Sequence, residues 1–264
     1  MSTSSADPIL VEYAGAVATV TLNAPPHNAI SMAMVDRLEE LFPEFGSDRS
    51  VRAIILTGAG ERSFSVGADI SEFGTAIAKM TLKGFIAQRL GLVGRVENLG
   101  KPVVCAIRGA CVGGGLELAL GCHFRVAARG ARIGLPEIEL GIVPAWGGTQ
   151  RLTRTVGRAH ALDMILRAKK IGADESLRIG LVHEICEPGE LLERAGALAG
   201  ELAEKPPLAV AGILKAVIQG GSLSLSAPVQ KFGDVFSGVR LRQHGREAAH
   251  VRPSGEGVWQ GRAG

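Results

Sequence analysis

Three consecutive glycines, Gly113 to Gly115, stand directly before an apolar run that carries a single acid, Glu117. The stretch reads GACVGGGLELALGC, from Gly109 to Cys122. Glycine loses more backbone freedom on folding than any other residue, so a run of three needs a reason. A carboxylate among Leu116, Leu118, Ala119 and Leu120 needs one too, because burying an unpaired charge is costly. The glycines leave the main chain bare where a helix starts, and the first N–H groups of a helix have no partner within it. With no side chain at Gly114, a ligand can approach that N–H closely. A second loop of small residues, SVGADI from Ser65 to Ile70, offers the same kind of backbone. Two N–H groups from separate loops would form an oxyanion hole. A second acid, Glu137, lies in GLPEIELG between Pro136 and Ile138. Apolar surroundings raise a carboxyl pKa towards the range useful for proton transfer, and two acids in different settings can divide the acid and base roles. Each acid also has a plainer reading: Glu117 as a surface acid on an amphipathic helix, Glu137 as a solvated turn residue.

Other chemistries fail on spacing. A dinucleotide-binding G-x-G-x-x-G read from Gly113 would need glycine where Leu118 stands, and no G-x-x-x-x-G-K-[ST] phosphate loop occurs. HEICE opens like a zinc-protease helix but has Glu187 where the second histidine must be. There is no G-x-S-x-G nucleophile elbow. Cys105, Cys111, Cys122 and Cys186 match no zinc template and read as buried, reduced thiols; no metal site is expected. His123, in a strand-like stretch, reads as a structural histidine.

The elements that must position these residues follow from periodicity. VATVTLN alternates as a strand, and from Ile30 apolar residues recur at Met34, Leu38, Leu41 and Phe45 with helical spacing. VRAIILTG predicts a buried strand, ERSFSVGADI a loop, and residues 75–99 a helix. KPVVCAIRG predicts a strand leading into the glycine run and its helix; HFRVAA and ARIGLPEI predict two short strands. GGTQRLTRTVG begins another helix and LVHEICE another strand. Beyond Gly189 the strand signal fades, and GELLERAGALAGELAEK, PLAVAGILKAVIQGG and SLSLSAPVQKFGDVFSG all read as helices. The expected organisation is a mixed α/β core over 1–190, a helical region over 191–239 and a basic tail over 240–264, with five arginines and little apolar periodicity.

Composition narrows the class. At 264 residues, 46% hydrophobic and 21% charged, the chain can bury a substantial core. Aromatic residues are only 4%, which argues against base-stacking surfaces for nucleic acid. A formal charge of +3 is compatible with an anionic small molecule. The first 36 residues hold no Lys or Arg, which argues against a signal or transit peptide, and no apolar run reaches the length of a membrane span. A cytoplasmic location is expected.

Over residues 10–238 the chain resembles the enoyl-CoA hydratase/isomerase (crotonase) family. The resemblance is carried by TLNAPPHNAIS, AIILTGAGERSFSVGADISEF, KPVVCAIRGACVGGGLELALGC, FRVAARGARIGLPEIELGIVPAWGGTQRL and GLVHEI, in family order. It implies an α/β fold: a spiral of ββα turns followed by a C-terminal helical trimerisation region, assembled as a homotrimer or homohexamer. It implies that the N–H groups of Ala68 and Gly114 hold the thioester oxygen of an acyl-CoA and stabilise a thioenolate. Family hydratases carry both acids, whereas many isomerases keep only the second. The resemblance therefore implies hydration of a trans-2-enoyl-CoA, Glu117 activating the water that attacks C3 and Glu137 protonating C2. The Ala145 N–H would help hold that water. Ala29, Val66, Asp69 and Ile70 fall where the family lines the CoA site, Asp69 having a structural alternative. CoA is part of the substrate, and no separate cofactor is implied. An isomerase, racemase or lyase, or a non-catalytic acyl-CoA or RNA binder, are the alternatives. The chain departs from the family pattern at His123, where an Asp is common, and in the segment after Arg240. It departs also at Trp146, whose indole is expected to border the acyl pocket where many hydratases have a small residue.

Overall fold

Alternation and helical spacing build the first layer of the molecule, a computed structural model that describes residues 7–72 and 81–220. Ile9–Ala14 (β1) and Val17–Leu22 (β2) form an antiparallel hairpin, and β2 turns Ala18, Val20 and Leu22 inward. Met32–Ser47 (α1) starts at Ser31, whose hydroxyl accepts the N–H of Met34 at 3.2 Å. A serine cap of this kind satisfies one of the orphan donors of the first turn. The helix buries Met34, Val35, Leu38, Leu41, Phe42 and Phe45, one continuous apolar face.

The chain then repeats one unit three times: a strand, a shorter strand, a helix. The first unit is Ala53–Gly58 (β3), Ser63–Ser65 (β4) and Leu82–Glu97 (α2). The second is Val103–Ile107 (β5), Ala110–Val112 (β6) and Gly114–Gly121 (α3). The third is Phe124–Ala128 (β7), Arg132–Gly134 (β8) and Gly148–Leu166 (α4). With Ile171–Gly172 (β9) and Glu184–Cys186 (β10), the strands sort into two sheets. One has the order β1-β2-β3-β5-β7-β10, the other β4-β6-β8-β9. All pairings are parallel except β1 with β2 and β8 with β9. Each turn thus gives one strand to each sheet, which is the ββα spiral the resemblance implies. The second sheet is why the expected loop ERSFSVGADI contains β4, and why β6 precedes the glycine run. Both strands have three residues, too short to show a period.

The larger sheet is covered on both faces. Ile54, Leu56, Cys105 and Ile107 face the main core with α1, while Ala53, Ile55, Val104, Ala106 and Val126 face the other way. Leu191–Glu204 (α6), which follows the short helix Ala173–Arg178 (α5), covers this second face with Leu191, Ala195 and Ala199. A helix from the region expected to lie beyond the core is therefore one of its layers. Pro207–Gly220 (α7) follows, and the compact unit runs to Ile218, past the expected boundary at 190. The helix expected over SLSLSAPVQKFGDVFSG, the tail over 240–264 and the start of the helix expected over 75–99 lie outside the described residues.

His123 and the cysteines have structural settings. His123 Nδ1 accepts the Val103 N–H at 3.0 Å, which leaves the proton on Nε2 for the Glu97 carbonyl at 3.1 Å. Burial pushes its pKa down to about 4. All four cysteines are free and buried.

Small side chains let α6 lie close to the sheet, and this can be tested. Ala195 is fully buried there. Ala195→Leu should lower unfolding free energy by about 1–3 kcal/mol through overpacking, measured by urea denaturation. Unchanged stability would mean that the helix stands off the sheet.

Candidate active site

The glycine run is explained by three different neighbours. A Cβ on Gly113 would lie 3.4 Å from Glu137 Oε1; one on Gly114 would lie 2.8 Å from the Trp146 ring; one on Gly115 would lie 2.7 Å from the Ser65 carbonyl oxygen. An acid, an indole and strand β4 therefore all press on the first turn of α3. Gly113 also caps the helix at φ +57° and ψ −135°, a conformation that side chains disfavour.

The second small-residue loop lies against this turn. A Cβ on Gly67 would sit 3.0 Å from the Gly114 nitrogen and 3.1 Å from the Val112 oxygen. The loop is fixed by the Ile30 N–H to the Gly67 oxygen at 2.8 Å and the Asp69 N–H to the Ile30 oxygen at 3.1 Å. Ser65 Oγ accepts the Gly67 N–H at 3.0 Å. Ala68 lies between these bonds, bridged to Ile30. Among the described residues, neither the Ala68 N–H nor the Gly114 N–H donates a hydrogen bond. The two loops touch at Gly67 and Gly114, and both N–H groups are unpartnered among the described residues.

Glu117, three residues into α3, is 2% exposed. Its Oε1 accepts the N–H groups of Trp146 and Gly148, each at 2.7 Å. Gly148 opens α4, so these donors belong to that helix's start. A Cβ on Gly148 would stand 2.8 Å from Glu117 Cγ and Oε1, so only glycine lets the amide reach the carboxylate. Burial, reinforced by the nearby charge of Glu137, lifts the Glu117 pKa to about 8 against the opposing pull of the two N–H groups and Arg151. Glu137 begins a 3-10 turn, Glu137–Leu140, and is 9% exposed. Both of its carboxyl oxygens are buried without a hydrogen-bond partner among the described residues, and burial raises its pKa. Neither plain reading survives: Glu117 is not on the surface, and Glu137 is not solvated.

The remaining expected residues are placed as follows. The amides that hold Glu117 are those of Trp146 and Gly148, while Ala145, half-buried, packs against the core. Trp146 is buried with its ring edge on Gly114. Val66 and Ile70 expose apolar side chains, and Ala29 is half-buried. Asp69 Oδ1 accepts the N–H and hydroxyl of Ser71 at 2.9 and 2.6 Å, its structural alternative.

Three supporting residues escaped sequence reasoning. Asn28, fully buried with φ +49°, donates from Nδ2 to the Ala59 and Ser63 oxygens, both at 2.9 Å, and accepts the Ala24 N–H at 3.1 Å. It pins the loop carrying Ala29 to β4. Ser65 aims Gly67. Arg151 donates to the Trp146 oxygen at 3.1 Å and pairs with Glu97 at 2.7 Å, tying the Trp146 peptide to the end of α2. A sequence gives no signal for contacts such as those of Asn28 and of Arg151 with Glu97, which span 31 and 54 positions.

Known proteins share this architecture. The family model described as enoyl-CoA hydratase/isomerase matches residues 12–248. A short-chain-enoyl-CoA hydratase of Clostridium acetobutylicum is 40% identical over 240 residues, covering 87% of this chain and 89% of its own. A probable enoyl-CoA hydratase of Bacillus subtilis is 42% identical over 228 residues, covering 83% and 87%. The crystal structure of an enoyl-CoA hydratase from Bacillus anthracis superposes with a TM-score of 0.83 at 34% identity, covering 91% of this chain and 95% of that one.

The raised pKa of Glu117 makes stability pH-dependent in a defined direction. Between its ordinary 4.5 and about 8, the folded protein holds the Glu117 proton and the unfolded chain does not. This contribution therefore falls as pH rises through that window, by a few kcal/mol at most. Glu117→Gln keeps an acceptor for both N–H groups and removes the titration. The difference in Tm, variant minus wild type, should grow from pH 5 to pH 8. A difference that stays flat would mean that Glu117 is ionised throughout.

Proposed function

The chain belongs to the enoyl-CoA hydratase/isomerase family, and we infer that it is an enoyl-CoA hydratase, adding water to a trans-2-enoyl-CoA to give a 3-hydroxyacyl-CoA. The observation that carries this reading is the pairing of two buried carboxyl groups of unlike setting beside two unpartnered N–H groups.

The thioester oxygen accepts hydrogen bonds from the N–H groups of Ala68 and Gly114. As electron density moves from the C2–C3 double bond to that oxygen, these donors stabilise the thioenolate, each worth about 3 kcal/mol. Glu117 removes a proton from water, and the resulting hydroxide bonds to C3. Glu137 delivers its proton to C2, the thioenolate collapses, and the proton on Glu117 returns to Glu137 through solvent. The hydrogen bonds divide these roles. Two N–H donors oppose the effect of burial and hold the Glu117 pKa at about 8 rather than higher, so its carboxylate fraction near neutral pH serves as the base. Glu137 accepts a hydrogen bond from no neighbouring residue among those described, and burial raises its pKa, which suits an acid. The Ala145 N–H assists in holding the water. CoA arrives with the substrate, and no separate cofactor enters these steps. Val66, Ile70 and Ala29 line its path, with Asp69 holding the loop in shape. Trp146, lying on Gly114, keeps the acyl end of the site short.

A homotrimer or homohexamer is supported by the exposed apolar Ile213 and Val217, one turn apart on α7 and without cover among the described residues. No helix among the described residues is long and apolar enough to cross a membrane. The bacterial relatives support a cytoplasmic location.

Two measurements test the reading. Loss of the conjugated absorbance of crotonyl-CoA should be slowed about 10²-fold or more in kcat by Glu117→Gln and by Glu137→Gln, with smaller changes in KM. Full hydration by Glu117→Gln with loss in Glu137→Gln would replace the two-acid reading with a single-acid isomerase. Trp146→Ala should raise kcat/KM for trans-2-octenoyl-CoA relative to crotonyl-CoA, by about 1 kcal/mol per accommodated methylene. An unchanged ratio with a lowered Tm would make Trp146 a packing residue only.

A further inference from the structure

Arg89, on α2, is 1% exposed and heads the largest fully buried side chains. A guanidinium in that position ordinarily has a carboxylate beside it, because an unpaired buried charge is expensive. Among the described residues Arg89 has no ion pair. Its Nη1 donates to Gln88 Oε1 at 3.1 Å and, at the long distance of 3.4 Å, to the Phe85 oxygen; its Nε donates to nothing. The acids whose charge reaches it, Asp36, Glu39 and Glu72, are held by other groups. Asp36 and Glu39 both accept from Gln88 Nε2, and Glu72 accepts the Met32 N–H at 2.6 Å.

The position of this cation is informative. Its Cζ lies 3.4 Å from the centroid of the Phe85 ring and 5.8 Å from that of Trp146. The edge of that same indole rests on Gly114. Arg89 therefore stands one indole away from an N–H assigned to the thioester oxygen. Gly114 and Arg89 thus share the Trp146 indole as a neighbour, and an acyl group anchored at Gly114 would have to extend along that ring to reach the guanidinium.

We propose that Arg89 reads the far end of the acyl group, and that this enzyme takes short enoyl-CoA thioesters ending in a carboxylate. The proposal rests on the hydratase reading for where the thioester sits. A terminal carboxylate supplies the missing counter-ion and gives Nε its acceptor. A terminal methyl group supplies neither and leaves a buried charge unpaired. Sites built to bond a polar substrate group reject the analogue lacking it far more strongly than apolar pockets reject an extra methylene. The preference is therefore expected to be large.

Binding of saturated thioesters tests this without depending on turnover. Glutaryl-CoA and pentanoyl-CoA have the same five-carbon chain and differ at its end. The wild-type Kd, by titration calorimetry, should be at least tenfold lower for glutaryl-CoA. In Arg89→Met the two values should converge to within about twofold, with a melting scan reporting that the variant is folded. Arg89→Lys, which keeps the charge without the fork, should retain part of the preference. Equal affinities in the wild type, or a preference that survives in Arg89→Met, would overturn the proposal. The wild-type comparison decides the matter even if a variant fails to fold. Failure of the hydratase reading would show separately, as no loss of conjugated absorbance with any enoyl-CoA.

Discussion

One oxygen of Glu117, accepting two main-chain N–H groups at 2.7 Å, is the contact on which the site depends. It joins the start of α4 to the first turn of α3, and so fixes where Trp146 lies relative to Gly114. Arg151 extends the tie by holding the Trp146 carbonyl and Glu97, which brings in α2. A buried carboxylate is costly, and these donors offset part of that cost. The remainder appears as a pKa near 8, which places the proton affinity of Glu117 where general-base chemistry operates.

The spiral supplies the geometry for this contact. Because successive strands alternate between two sheets, the turns following β4, β6 and β8 emerge on neighbouring parallel strands of the smaller sheet. The first of those turns carries Ala68, the second Gly114 and the third Glu137. Residues about 20 to 45 positions apart in the chain thus become lateral neighbours by strand pairing. The larger sheet, buried on both faces, acts as the rigid floor beneath them.

Much of this was legible in the sequence, and the limits are instructive. The long apolar strands and α1 show clear periods. The glycine run and the two acids stand out because each violates a local rule, and such violations collect at functional sites. What stayed hidden was of two kinds. β4 and β6 have three residues each, below the length at which alternation can be read. Asn28 bonds main-chain atoms more than 30 positions away, Arg151 pairs with the distant Glu97 side chain, and Ser65 acts on a local N–H; their residue types are common in any loop or helix. Arg89 reads as an ordinary polar position on a helix face until its burial is known. The boundary expected at 190 marked where strands end, whereas packing continues through α6.

The groups assigned to the thioester oxygen, and those that hold Glu117, are main-chain N–H groups. This separates two kinds of inheritance. Substitution changes side chains freely but deletes a main-chain donor only by introducing proline. The electrostatic half of the site is therefore shielded from most single mutations, so long as the glycines that admit close approach are kept. The walls contributed by side chains such as Trp146 and Arg89 carry no such protection. Divergence within this architecture should accordingly redraw what the enzyme accepts well before it alters how the carbonyl is activated.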